Sequence, residues 1–251
     1  MNNLAIAFPE KSIEERKKIA KEFYKQFIDS FIEVIKLISI SPQELDERYK
    51  CDSSVIEELR LKNKNINLLL GHYFNWEFAN LSMSLHAKQK FIGVYMPISN
   101  KIFDKLYIKI RSRFGTTLVD ATNFSKEFKQ AANTQYILGL IGDQNPGDPQ
   151  NAYWVSFFNK PTPFVKGPEK GSRLNNVAAV ALRIYRKKRG FYNAEFKLLA
   201  TDAKSLPVGE LTKQMVAFFE DAIRKNPSNY LWSHKRWKWE FDEQEHGKLL
   251  V

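Results

Sequence analysis

The residues best suited to chemistry sit in the stretch Gly71–Glu77 (G-H-Y-F-N-W-E). His72 follows the apolar run Ile66–Leu70 after one glycine, and Glu77 lies five positions further on. A carboxylate on one imidazole nitrogen fixes the tautomer and balances an imidazolium, leaving the other nitrogen as a base for a hydroxyl or an amine. On one continuous helix the two side chains would stand roughly 140° apart. They converge if His72 lies in a strand-to-helix loop and Glu77 in the first helical turn, where the positive end of the helix also favours a carboxylate. Taken alone the spacing is a weak signal and fits a purely structural pair better. Asp143 and Gln144 follow a second apolar run, Tyr136–Ile141, and strand carboxyl ends are where open α/β sheets bind ligands. Asp143, Asn145 and Asp148 also suggest a calcium loop, but its closing bidentate glutamate is missing.

Other chemistries lack their residues. There is no G-x-S-x-G elbow, no phosphate-binding P-loop sequence and no G-x-G-x-x-G. Cys51 is the sole cysteine, which excludes an intramolecular disulfide and a cysteine zinc site. It reads as a spectator thiol in a polar loop, in a reducing compartment. Near the C-terminus, Asn226–Trp239 interleaves Trp232, Trp237 and Trp239 with Lys235, Arg236 and Lys238. Such a run suits base stacking, lipid headgroups, or a packed helix with a basic face.

These residues need a scaffold. The chain has 251 residues, 43% hydrophobic and 14% aromatic, enough for a full core and too apolar for disorder. Lys+Arg 39 against Asp+Glu 28 leaves +11, which favours anionic partners. No run of about 18 apolar residues and no signal-peptide pattern is present. Leu4, Ile6, Phe8 and Pro9 read as a segment that continues from something before it.

Ser12 and Glu15 form a capping box that opens a helix carrying Ile19, Phe23, Phe27, Phe31, Val34, Ile35 and Ile38. Phe27–Ile40 is apolar on more than one side, as a core helix or one lying on a membrane would be. Ser41-Pro42 is expected to stop it. Helices are predicted over Asp52–Leu61, Phe78–Ala87, Lys101–Phe114, Phe124–Ala132, Gly167 to about Val177, and Val208–Arg224. Strands are predicted over Ile66–Leu70, Phe91–Met96, Thr117–Asp120, Tyr136–Ile141, Val180–Tyr185 and Phe191–Leu199. The alternation predicts an α/β fold: a single domain over residues 1–251, with a mixed, mostly parallel central sheet flanked by helices. Residues 1–40 form an N-terminal amphipathic helical segment.

In this order, the segments resemble the late acyltransferases of lipid A biosynthesis, the lauroyl/myristoyl type within the lysophospholipid acyltransferase superfamily. The resemblance runs from N-L-A-I-A-F-P-E-K (Asn3–Lys11) through G-H-Y-F-N-W-E, V-Y-M-P-I-S-N (Val94–Asn100), R-S-R-F-G (Arg111–Gly115), D-Q-N-P-G (Asp143–Gly147) and F-F-N-K-P (Phe157–Pro161) to N-Y-L-W-S-H-K-R-W-K (Asn229–Lys238). It implies transfer of an acyl chain from an acyl-carrier-protein thioester to a hydroxyl of a lipid A precursor, at the cytoplasmic face of the inner membrane. It places a catalytic His-x4-acid dyad on His72 and Glu77 and a pocket-shaping pair on Asp143 and Gln144. No metal or organic cofactor and no nucleic acid is expected. Asn75, Arg111, Arg113, Lys235 and Arg236 are candidates for substrate contacts. Two departures stand out. The family's membrane-spanning segment would precede Asn3, and Met96 replaces a cation in the V-Y-R-P motif, a role open to Arg111 or Arg113. A lysophospholipid, aminolipid or pigment acceptor is the alternative within acyl transfer. A non-catalytic basic module binding membrane or nucleic acid is the alternative outside it.

Overall fold

The computed structural model describes residues 1–175 and 177–251. In chain order its elements are α1 (Asn2–Ala7), α2 (Ile13–Leu37), α3 (Pro42–Arg48), β1 (Tyr49–Cys51), α4 (Ser54–Leu61), β2 (Ile66–Leu70), α5 (Trp76–His86), β3 (Lys90–Tyr95), α6 (Lys101–Arg111) and β4 (Thr117–Asp120). They continue with α7 (Phe124–Ala131), β5 (Tyr136–Ile141), β6 (Ala152–Phe157), β7 (Lys160–Val165), α8 (Gly167–Asn175), β8 (Ala178–Lys188), β9 (Phe191–Ala200), α9 (Glu210–Lys225) and α10 (Glu243–His246).

Among the described residues a seven-stranded sheet runs in the order β1-β9-β8-β2-β5-β3-β4. Every neighbouring pair is parallel except β8–β9, the expected hairpin, so the sheet is mixed and mostly parallel. β6 and β7 form a separate antiparallel hairpin. All five residues of β2 are buried, as a central parallel strand covered on both faces requires. Its one polar side chain, Asn67, donates to Ser172 Oγ at 2.8 Å on α8. The core cluster runs from Leu4 on α1 to Trp237 near the C-terminus.

The capping box at Ser12 is present, with Ser12 N donating to Glu15 Oε2 at 2.7 Å and Glu15 N to Ser12 Oγ at 3.2 Å. Ser41-Pro42 does more than stop a helix. Ser41 accepts from Glu44 N, and Pro42 opens α3, because a missing N–H costs nothing at a first helical position. Cys51 does not lie in a polar loop. It ends β1, an edge strand pairing with β9, and burial pushes its thiol up. The helix expected to reach about Val177 runs over Gly167–Asn175, and position 176 lies outside the described residues. No described helix is long and apolar enough to cross a membrane.

Candidate active site

The β2–β5 register builds the centre of the site. Leu70 pairs with Ile141, so each strand carries its chain two residues further to His72 and to Asp143, side by side at the carboxyl edge of the sheet. Asp143 holds His72 at two points. One carboxylate oxygen lies 2.5 Å from His72 Nδ1, and the other accepts the His72 backbone N–H at 2.8 Å. Burial pushes the Asp143 carboxyl up. Electrostatic attraction to the His72 ring and the two His72 hydrogen bonds, with Arg236 beyond, outweigh this and hold it below its ordinary value. With Nδ1 donating to Asp143, Nε2 is left as the acceptor, and the Gln144 amide nitrogen lies 3.1 Å from it.

Glu77 meets a different partner. Asn75 caps α5, its Oδ1 accepting Glu77 N at 3.0 Å, so Glu77 sits in the first turn as the convergence argument required. Its carboxylate is gripped by Arg111 at the end of α6, through Nε at 3.0 Å to both oxygens and Nη2 at 2.6 Å. The expected hydrogen bond between Glu77 and His72 is replaced by two separate pairs, His72–Asp143 and Glu77–Arg111. The reason is topological: position 72 leaves the sheet beside position 143, while α5 turns Glu77 toward α6. Desolvation works against the Arg111 charge, but the Glu77 carboxylate outweighs it and raises Arg111 further.

His72 and the Glu77–Arg111 pair line one cavity of about 390 Å³, with Asp143 buried behind the ring. His72, Glu77, Asn80, Tyr95, Arg111 and Gln144 are among its polar groups, and Leu68, Met83, Phe91, Leu118, Leu140 and Leu182 supply apolar walls. Gly93 and Gly139 leave room there; a Cβ at 139 would lie 3.1 Å from the Phe91 ring. Trp76 stands edge-on to His72 at 5.6 Å, and Met96 lies at the lining while 65% exposed. The arrangement joins a base, a fixed cation and an apolar slot.

The remaining candidates for substrate contacts lie elsewhere. Asn75 is buried, capping α5 and donating to Glu33 Oε2 at 3.2 Å. Arg113 donates to Leu37 O at 3.4 Å and lies over the Phe114 ring. Arg236 is fully buried against Phe157 and Phe164 and donates to Asn145 Oδ1 and Pro163 O, each at 3.0 Å. Lys235 is exposed, and its backbone oxygen accepts from Asn145. The aromatic–cation run is therefore interior packing in large part, with Trp232 and Trp237 also buried. The calcium loop dissolves too: Asp143 serves His72, Asn145 serves Arg236, and Asp148 accepts Gln150 N. No group of three or more potential metal ligands occurs among the described residues.

The run contributes something the spacing did not reveal. Leu231 N donates to His72 O at 3.1 Å and Phe74 N to Asn229 O at 3.3 Å, so residues 229–231 clamp the backbone around His72. His234 follows with its ring 6.2 Å from that of His72, its Nδ1 donating to Leu231 O at 2.8 Å. Burial pushes His234 down, favouring a neutral ring beside the base. A histidine amid tryptophans and cations reads as surface until the chain is folded. Gly71 completes the bend, since a Cβ there would lie 2.9 Å from the Tyr73 ring.

Residues 1–239 match the bacterial lipid A biosynthesis acyltransferase family. A lipid A biosynthesis acyltransferase 2 of Shigella flexneri is 25% identical over 244 residues, spanning 92% of this chain and 74% of that protein. A lipid A biosynthesis myristoyltransferase of Escherichia coli (strain K12) is 27% identical over 157 residues, 62% of this chain and 48% of that protein. The palmitoleoyltransferase of lipid A biosynthesis from the same strain is 20% identical over 239 residues, covering 94% and 76%.

Proposed function

The chain belongs to the bacterial lipid A biosynthesis acyltransferase family, and from that premise we propose that it moves a fatty acyl chain from an acyl-carrier-protein thioester to a hydroxyl of a lipid A precursor at the cytoplasmic face of the inner membrane. The observation that carries this reading is His72, held at two points by Asp143, with its Nε2 side at the apolar cavity. Residues 1–251 act as one catalytic unit in this reading. The basic surface suits an acidic carrier protein and phosphorylated lipids.

The reaction is a direct transfer. The acceptor hydroxyl displaces the Gln144 amide at Nε2 and gives up its proton there while its oxygen attacks the thioester carbonyl. Asp143 fixes the Nδ1–H tautomer and balances the imidazolium. The tetrahedral oxyanion is met by donors at the cavity wall, the displaced Gln144 amide and Arg111 being side chains there of the right kind. Collapse breaks the C–S bond, and the thiolate takes the proton back from His72. The new ester and the free thiol account for every atom, and no serine or cysteine carries the acyl group. Glu77 acts one step removed, holding Arg111 at the cavity. The acyl chain occupies the slot between β2, β3, β5 and α5.

Incubating the purified chain with a carrier-bound thioester and a lipid A precursor, and weighing the lipid by mass spectrometry, tests the reading. A mass gain of one acyl group on the precursor supports it. Thioester hydrolysis without lipid gain, or gain only on a lysophospholipid or aminolipid, contradicts it.

A further inference from the structure

Helix α2 has an apolar face that the protein leaves uncovered. Tyr24, Ile28, Phe31, Ile32, Ile35 and Ile38 fall within roughly 120° of the helix circumference. Ile28 is 59% exposed, Phe31 and Ile32 52% each, and Ile35 65%. The core is served by another face of the same helix, through Phe23, Val34 and Leu37. A contiguous exposed apolar strip of this kind marks an interaction surface.

Its flank is cationic. A groove of about 740 Å³ runs between α2 and the β8–β9 turn, from Ile28 to Ser228. Lys25, Arg186, Lys187, Lys188 and Arg189 line it against two carboxylates, Glu22 and Asp29. Asp29 is shared by Arg186 at 2.6 Å and Arg189. Among the described residues Arg186 Nε is buried without a hydrogen-bond partner, and Lys187 and Lys188 are exposed. An apolar strip bordered by surplus cations matches an anionic bilayer, whose acyl region accepts the isoleucines and whose phosphates accept the cations. A strip of rings also leads from this face to the active site. Phe31 contacts Phe27 at 5.0 Å, Phe27 contacts Phe74 at 6.1 Å, and Phe74 contacts Trp76, on the cavity lining, at 6.3 Å.

We propose that the exposed face of α2, with the Lys25/Arg186–Arg189 groove beside it, is an in-plane docking surface for an anionic phospholipid bilayer. This deepens the membrane part of the function proposed above, by naming the surface and the lipid charge it reads. The isoleucines enter the headgroup boundary, and the groove holds lipid phosphates at its rim.

Vesicle co-sedimentation of the full chain tests this without any acyl transfer, so its failure is distinguishable from failure of the proposed reaction. Phosphatidylglycerol and phosphatidylcholine vesicles are compared at low and high salt. The chain partitions to the anionic vesicles at least about tenfold better at low salt, and the preference shrinks as salt rises. The pairs Ile32→Asp/Ile35→Asp and Lys187→Glu/Lys188→Glu each lower that partition about tenfold or more. Their thermal unfolding midpoints stay within a few degrees of the parent's, since all four side chains are exposed. Equal partition to both vesicle types, or unchanged binding by both folded double variants, overturns the proposal.

Discussion

Asp143 grips His72 by both the ring and the backbone, with one oxygen 2.5 Å from Nδ1 and the other accepting the amide N–H at 2.8 Å. A single carboxylate thus sets where the loop passes and which imidazole nitrogen carries the proton. The glutamate five residues after His72 is engaged elsewhere, in a bidentate grip on Arg111. The two carboxylates therefore have separable jobs.

Asp143→Asn removes the charge and frees the tautomer while nearly conserving shape. The expected outcome is a fall in kcat of roughly 10³–10⁴ with a small change in acceptor KM. Steady-state kinetics on the folded variant check this. A tenfold or smaller loss would show that Asp143 is not the partner His72 works with.

Glu77→Gln acts first on stability. It leaves the Arg111 guanidinium, largely buried, without its counter-charge, at a cost on the order of 3 kcal/mol. For a chain of this length, that corresponds to a fall of roughly 6–12 °C in Tm. Calorimetry reads it. Activity should survive better than in the Asp143 variant, because the base keeps its partner.

Much of this was legible before folding. The apolar runs of β2 and β5 located the strand ends that carry His72 and Asp143, and Ser12 with Glu15 announced α2. The pairing at the site was not legible, because it depends on β2 lying beside β5 at the Leu70–Ile141 register, a tertiary fact. The spacing of His72 and Glu77 described only a local possibility. Arg236 misled for a related reason: a cation among tryptophans looks like surface, yet Asn145, Pro163 and two phenylalanine rings enclose it. α3 and β1 were hidden by the dual meaning of Pro42 and by the three-residue length of β1.

The Asp143 carboxyl sits below its ordinary value in the folded chain, so folding favours its charged form. The unfolded state binds that proton more readily. The resulting stabilisation is full above the unfolded value, near pH 4, and fades as pH falls through the lower folded value. Urea midpoints measured from pH 6 to pH 3 should therefore fall more steeply for the parent chain than for Asp143→Asn. Parallel curves would remove this linkage.

Met96 lies at the cavity lining and is 65% exposed, so an arginine there has room to present its guanidinium. With a phosphorylated glycolipid acceptor, Met96→Arg lowers the acceptor KM. With a less anionic lipid, the added charge beside the apolar slot reduces activity instead. Parallel kinetics on the two acceptor classes read the sign. An Met96→Arg variant active only on uncharged acceptors would count against the lipid A reading.

In the proposed reaction His72 is the base in a direct transfer from thioester to lipid hydroxyl. The most direct measurement is single-turnover acylation of a lipid A precursor by His72→Ala, alongside the parent chain, with carrier-bound thioester in excess and circular dichroism confirming the fold. The expected outcome is a rate loss of roughly 10²–10⁴ with no acylated protein at any time. A folded His72→Ala chain that acylates lipid at the parental rate, or an acyl group trapped on the protein, would contradict it.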